Sequence, residues 1–474
     1  MITFMTNRPA LQPRLRALAL AAAIGIPASI AGCKDFLTAD NPAAIPVERL
    51  DDTSFFSLVV NGVIGEFQPT YPIVTYYSGI FTDELRNHHV FSEEILFDRR
   101  EVLPANGTHS VFIYTPMQRA RMLADDAALR FKRILGDSAN HDLRTARVYA
   151  YAGYSLIILG ETMCNAPLSQ GDTLYSRPYT PTELFTFAAA RFDSTIKIAA
   201  AAKTAATAGP PSTLRTAVMN GADSLRNLAY VGAARAMLGA GNKAKAIEYA
   251  RLVQPIANNN FEFRIFFNDN LATSRLNNPL RDRMSGGAGL TSGSVSGTRF
   301  NFLDDARVPV PLNAQGQPLA EVATGGSWVV PNSPPSYSTF DGTKPGADFS
   351  LGGSMRLASI LEARYIIAEA EGPTAENIAF IESRRTAFPS STATAVTTAA
   401  NFVDNLRDQR RRDFYLDGHR MGDLRRYRDQ YNVTTGIHSW ETGPMYGTTT
   451  QFSNILCWPL NTSEITNNPN VPKS

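Results

Sequence analysis

The chain has 474 residues, 44% hydrophobic and 19% charged, with a formal net charge of +2 at pH 7. Residues 1–32 hold Arg8, Arg14 and Arg16 and no acid, so a chain starting at Cys33 carries a net charge of −1. That near-neutrality excludes the basic stripe that nucleic acid or an anionic membrane face calls for. About 440 residues remain, enough for two or three domain-sized cores or one large helical array.

The N-terminus shows three arginines, an apolar run from Ala17 to Ile30, and small residues from Ala28 to Gly32 ending at Cys33. This is the three-part layout of a secretory signal. The run is too short for the roughly 20 residues a spanning helix needs, and Pro27 interrupts its end. Ile30-Ala31-Gly32-Cys33 resembles a bacterial lipobox, which makes Cys33 the expected acylated N-terminus and residues 1–32 a signal peptide. Several acyl chains on one residue anchor stably where a single chain does not. Residues 33–47 read as a tether, polar and Pro-containing. No second long apolar run follows.

Downstream, helical periodicity dominates. Val148, Ala152, Leu156 and Leu159 form one stripe and predict a helix over 143–159, with Asp142 near its start. A second helix is expected from Pro181, a first-turn proline, through Leu184, Ala188, Phe192 and Ile196, until Gly209-Pro210-Pro211 breaks it. A third, 223–238, puts Leu225, Leu228, Gly232 and Ala236 on one face, where small residues let a neighbour approach closely. Gly239 to Asn242 turns the chain, with Asn242 as N-cap of a helix over 243–253. The resulting hairpin is of tetratricopeptide-like length.

From about 268 to 350 the chain turns rich in Gly, Ser, Asn and Pro, as in functional loops or short strands. Helices are expected again at 355–370, 375–387 and from Asn401, after a Ser/Thr/Ala linker at 390–399. Cys164 and Cys457, the two cysteines besides Cys33, can form one bridge or remain buried thiols.

The run from Arg410 to Arg426, with Asp413, Asp417, Gly418, Arg420, Asp423 and Arg425, resembles the Arg-rich element of the SusD/RagB family. Trp458-Pro459-Leu460 through Asn468-Pro469-Asn470 is similar to that family's closing segment. Thr82-Asp83-Glu84 and the 356–370 segment with Ala368-Glu369-Ala370 match it more loosely. The resemblance implies a mostly α fold, a tetratricopeptide-like helical repeat array with an irregular, loop-rich ligand-binding part carrying short strands. It implies one domain over 48–474, comprising an N-terminal helical part (48–267), a loop-rich insertion (268–350) and a C-terminal helical part (351–474). It also implies a partner, a SusC-type TonB-dependent outer-membrane transporter, and an oligosaccharide or peptide ligand.

Arg411, Arg412, Asp413, Gly418, Arg420, Asp423, Arg425 and Arg426 read as Arg-carboxylate pairs joining two helices across a Gly418 turn, since interspersed acids neutralise an anion patch. His88-His89 lacks a metal-binding motif, and consecutive acids such as Asp83-Glu84 and Asp304-Asp305 diverge, so no metal, cofactor or catalytic set is expected. Sugar rings stack on aromatics while guanidinium and amide groups bond their hydroxyls. The candidate ligand residues are therefore Tyr71, Tyr76, Tyr77 and Phe81 with Arg86 and Asn87, and Trp328, Tyr337 and Phe340 in the insertion, each weighed against a place in the core. The alternative function is a tetratricopeptide-like scaffold that binds another protein and no small ligand.

Overall fold

The computed structural model describes residues 47–87, 91–169, 175–256, 260–268, 276–285, 293–294, 298–300, 305–308, 352–390, 392, 394–445 and 449–472. Two units are distinguished, residues 1–55 and 56–474. In the first, two 3-10 turns, Val47–Asp51 and Thr53–Phe55, are described.

The second unit opens with α1 (Phe56–Phe81). Phe56, Val60, Val63, Phe67, Tyr71 and Val74 recur at helical spacing and are all buried. The helix continues through Pro69 and Pro72, although proline deletes a backbone donor. Its apolar stripe supplies the packing that outweighs this loss. Here the structure corrects the expectation of an irregular stretch: Tyr71, Tyr76, Tyr77 and Phe81 are helical core residues, at most 1% exposed.

Next come β1 (Arg86–Asn87), α2 (Ser92–Asp98), a π-helical turn (His109–Tyr114), and α3 (Thr115–Leu135), which the sequence reading missed. α4 (Leu143–Thr162) is capped by Asp142, whose carboxylate accepts from the Arg144 N–H. Strands β2 (Ala166–Pro167) and β3 (Pro178–Tyr179) pair and lead into α5 (Pro181–Ala208). Thr180 and Glu183 form a capping box at its start. α6 (Thr213–Gly239) and α7 (Lys243–Ala250) complete the hairpin, with Asn242 as N-cap. α6 begins ten residues before the expected Asp223, and α7 ends at Ala250 rather than Val253.

Each of α3 to α7 packs on the next in sequence, as in an array of antiparallel pairs, and α1 covers α3 and α4. Close approach is set by two phenylalanines seven residues apart on α5. Phe192 sits between Gly153 of α4 and Gly232 of α6; a Cβ at Gly232 would lie 2.3 Å from its ring and one at Gly153 2.7 Å. Phe185 sits in the same way between Gly160 and Gly239.

β4 (Glu262–Ile265), α8 (Pro279–Ser285) and β5 (Gly293–Ser294) follow, and β5 pairs antiparallel with β1. The segment 355–370, expected as one helix, starts as β6 (Met355–Ser359), which pairs antiparallel with β4. All five residues of β6 are buried, so no one-sided alternation betrayed the strand. Ser359 caps α9 (Ile360–Glu371), and α10 (Ala375–Ala387), α11 (Phe402–Asp413), α12 (Arg420–Tyr431) and α13 (Thr462–Asn467) close the chain.

Candidate functional site

The arginine run is internal. Gly418, at φ +72°, turns the chain between α11 and α12, where its missing side chain leaves room for Thr75 and Tyr71. Arg410 Nε donates to Asp423 at 2.8 Å, and Arg426 bonds both Asp423 (2.8 Å) and Glu369 (2.7 Å). Asp408 holds Arg411 and Arg412, at 2.9 Å each, and Arg412 also reaches Asp305 at 3.0 Å. Asp413 accepts from Arg384 (2.8 Å), Arg307 (3.2 Å) and the Tyr365 hydroxyl (2.5 Å).

Arg420 reaches back to Asp83 at 2.6 Å, and Arg356 Nε bonds Asp417 at 2.8 Å. Thus Asp83, Arg356, Glu369 and the 410–426 run, distant in sequence, meet in one buried ion-pair network. The guanidinium of Arg420 holds Asp83 down to about 2 against the opposing effect of burial, while Arg384 and Arg307 hold Asp413 well below the carboxylate range. The paired part of the run is structural, since buried pairs of this kind lock elements together and leave no charge for a ligand; Arg425, expected to pair with a carboxylate, instead bonds the carbonyls of Gly160, Glu161 and Met163.

The other sequence candidates separate. Tyr71 donates to the Asp417 carbonyl at 2.6 Å, and Tyr77 to Glu94 at 2.8 Å. Phe81 stacks edge-on with Trp440 and Trp458. None of these faces solvent. Arg86 is buried and ion-paired with Asp98 and Glu441, while the Asn87 N–H donates to Asp98. Cys33, Trp328, Tyr337 and Phe340 lie outside the described residues. Cys164 and Cys457 are joined by a disulfide that ties the end of α4 to the closing segment. Beside it the Cys164 N–H donates to the Trp458 carbonyl and the Trp458 N–H to the Thr162 carbonyl, both at 2.8 Å.

What the structure assembles at the surface centres on α2, where the insertion is rooted by the β1–β5 pair. On one side, Glu93 accepts from the Gly107 N–H (3.0 Å), the Thr108 N–H (2.7 Å) and the Thr108 hydroxyl (2.9 Å), clamping the start of the π-helical turn. The Asn106 side chain accepts from the His109 N–H at 2.8 Å. The turn presents Val111 and Phe112 outward, and Phe91 is exposed at the start of α2. Arg283 of α8 lies 4.7 Å from the Phe112 ring and 3.2 Å from Glu94. π-helical turns are rare and recur at functional positions.

On its other side, α2 leads to Arg100, a non-glycine residue at φ +59°. Its guanidinium lies 4.5 Å from the Phe452 ring and 5.6 Å from that of Trp440, and it donates to the Glu441 carbonyl. Burial lowers its pKa to about 10. A cavity of about 170 Å³ opens here, lined by Arg100, Arg428, Trp440, Glu441, Phe452 and Asn454 among others. The Trp440 indole Nε1 has no partner there among the described residues. Burial pushes the neighbouring Asp98 up to about 7 despite Arg86 beside it. A left-handed non-glycine residue beside aromatic rings, a guanidinium, carboxylate and amide groups makes this the candidate site. Sequence reasoning passed over Arg100, Phe112, Trp440 and Phe452 because no local pattern links them. The left-handed Arg100 cannot be read from residue type.

The sequence model of the SusD family matches residues 355–473. In structure the chain is similar to surface glycan-binding protein A from Bacteroides thetaiotaomicron in complex with laminarihexaose, at 14% identity and a TM-score of 0.60, covering 88% of this chain and 98% of that one. It is similar to surface glycan-binding protein A from Bacteroides uniformis, at 13% and 0.59 over 88% and 98%. A SusD superfamily protein from Bacteroides vulgatus ATCC 8482 gives 14% and 0.58 over 89% and 99%. No curated protein matches in sequence. The mostly helical, tetratricopeptide-like fold expected from the sequence is the fold observed.

Proposed function

Because residues 355–473 match the SusD family and the described chain has the fold of SusD superfamily proteins, we propose that this is a cell-surface lipoprotein that captures oligosaccharides and delivers them to a SusC-type TonB-dependent outer-membrane transporter. The observation that carries the reading is the surface around α2, where aromatic faces and guanidinium groups meet at the root of the loop-rich insertion, on a fold whose relative from Bacteroides thetaiotaomicron holds laminarihexaose. Phe112 and Phe452, on opposite sides of α2, are partly exposed rings for sugar stacking, and Arg283, Glu441 and Asn454 offer partners for sugar hydroxyls. No bond in the ligand is broken; the protein acts by capture and hand-over.

Attachment is through acyl chains on Cys33 and the 33–47 tether. No helix among the described residues is long and apolar enough to cross a membrane. Two measurements test the proposal together. Mass spectrometry of protein from its native membrane should find Cys33 acylated, with a large barrel copurifying. Calorimetry against a panel of β-glucan, α-glucan and peptide oligomers should find an oligosaccharide that binds saturably. A protein unacylated and free in the medium, or one that binds no oligosaccharide, overturns it.

A further inference from the structure

A second cavity, of about 450 Å³, lies where the end of α4, the start of α5, the end of α6 and α12 meet. Its size falls in the range of small-molecule sites. Gly160, Phe185, Gly241, Arg425, Asp429 and Gln430 are among its lining residues, and none is shared with the Trp440 cavity.

Arg425 differs from its neighbours in the arginine run. Arg410, Arg411, Arg412, Arg420 and Arg426 each face a carboxylate. Arg425 instead donates Nη1 to the carbonyls of Gly160 (3.1 Å), Glu161 (2.8 Å) and Met163 (2.9 Å). Its Nε and Nη2 have no protein partner among the described residues. The carboxylates nearby are engaged: both oxygens of Glu161 accept from Arg235, at 2.8 and 2.6 Å, and Asp429 accepts from Arg428 at 2.6 Å. The carbonyls of the last turn of α4 orient the guanidinium without neutralising it, so the cavity keeps a net positive group.

Gln430 adds an acceptor. Its Nε2 donates to the carbonyls of Leu238 (3.0 Å) and Gly239 (2.9 Å), which fixes the amide orientation. Its Oε1 is buried with no partner. A buried acceptor left unpaired is costly, and a hydroxyl donor from a ligand would satisfy it.

We propose that this cavity binds a hydroxylated carboxylate of monosaccharide size, such as a free uronic acid, with its carboxylate on Nε and Nη2 of Arg425 and a hydroxyl donating to Gln430 Oε1. The planar guanidinium suits two-point recognition of a carboxylate, and the Phe185 ring gives an apolar wall. This site stands independently of the α2 surface.

The test is calorimetry of the intact mature protein with sodium glucuronate, glucose and sodium phosphate. Glucuronate should bind saturably, with glucose and phosphate each about tenfold weaker or more, since glucose lacks the charge and phosphate the hydroxylated ring. Arg425→Gln should weaken glucuronate about tenfold or more. Asp429→Asn, which removes a nearby negative charge from an exposed position, should tighten it roughly two- to threefold. Phe112→Ala should leave it unchanged. Should Arg425→Gln fail to fold, Asp429→Asn decides. The proposal is overturned by no glucuronate binding, by glucose or phosphate binding as tightly, by an Asp429→Asn affinity equal to that of the unaltered protein, or by loss of binding in Phe112→Ala.

Discussion

Breaking the Cys164–Cys457 bond should remove a large share of the protein's stability. The two cysteines are 293 positions apart, so the bond closes nearly two thirds of the chain into one loop in the unfolded state. The loop-entropy relation gives ~19 cal/mol/K for a ring of that length, or roughly 5–6 kcal/mol at 25 °C. That is a ceiling, because denatured chains are more compact than the relation assumes; the expected loss is about 3–5 kcal/mol, against a whole-protein stability on the order of 5–15 kcal/mol. The assay is urea unfolding of the unaltered protein, with and without reductant, beside a Cys164→Ser/Cys457→Ser double variant. Fluorescence of Trp458, fully buried one residue from Cys457, reports the transition. Reduced protein and double variant should unfold together at lower urea. A midpoint unmoved by reductant, or two free thiols in non-reducing peptide maps, would refute the reasoning.

Three further outcomes follow from the interior. Asp423→Ala leaves Arg410 and Arg426 without a shared acceptor, and should cost about 3–5 kcal/mol in chemical denaturation; an unchanged midpoint would contradict the structural role of the arginine run. Glu84 is buried and accepts from the Leu416 N–H at 2.8 Å while its other oxygen has no partner, and burial raises its pKa to about 8 from an ordinary 4.5. A raised carboxyl favours folding fully below the unfolded value and loses that contribution as pH climbs through the folded one. Glu84→Gln should therefore gain on the unaltered protein between about pH 5 and 8, by up to ~1.4 kcal/mol per pH unit, and a pH-independent difference would count against it. Gly232→Ala forces a methyl into the Phe192 ring and should cost about 1–3 kcal/mol by thermal unfolding; a neutral result would mean α5 and α6 part freely.

Much of the helical frame was legible because its signals are local. Asp142 and Asn242 as caps, Pro181 at a first turn and Gly232 on a close-packed face each report on residues within a turn or two. α1 was not legible: Pro69 and Pro72 lie inside it, and what holds it is a buried stripe running the length of the helix, visible only in the packing. β6 was missed because its partner β4 lies about ninety residues earlier and both of its faces are covered.

The arginine run was readable as ion pairs, yet the partners of Arg420 and Arg412, Asp83 and Asp305, come from elsewhere in the chain. The same holds for the α2 surface. Arg100 and Trp440 stand 340 positions apart in sequence, and the aromatic residues picked from local composition, Tyr71 to Phe81, proved to be the core beneath it. Aromatic character marks both a core and a sugar platform, and tertiary burial alone separates them.

In the proposed function, the surface around α2 binds an oligosaccharide. The most direct measurement of this is calorimetric titration of the strongest oligosaccharide from the panel into the unaltered protein, Phe112→Ala and Phe452→Ala, with folding of each verified by circular dichroism. Loss of a stacking ring should weaken binding about tenfold in each variant. Affinities indistinguishable from that of the unaltered protein in both would place the ligand elsewhere and contradict the account.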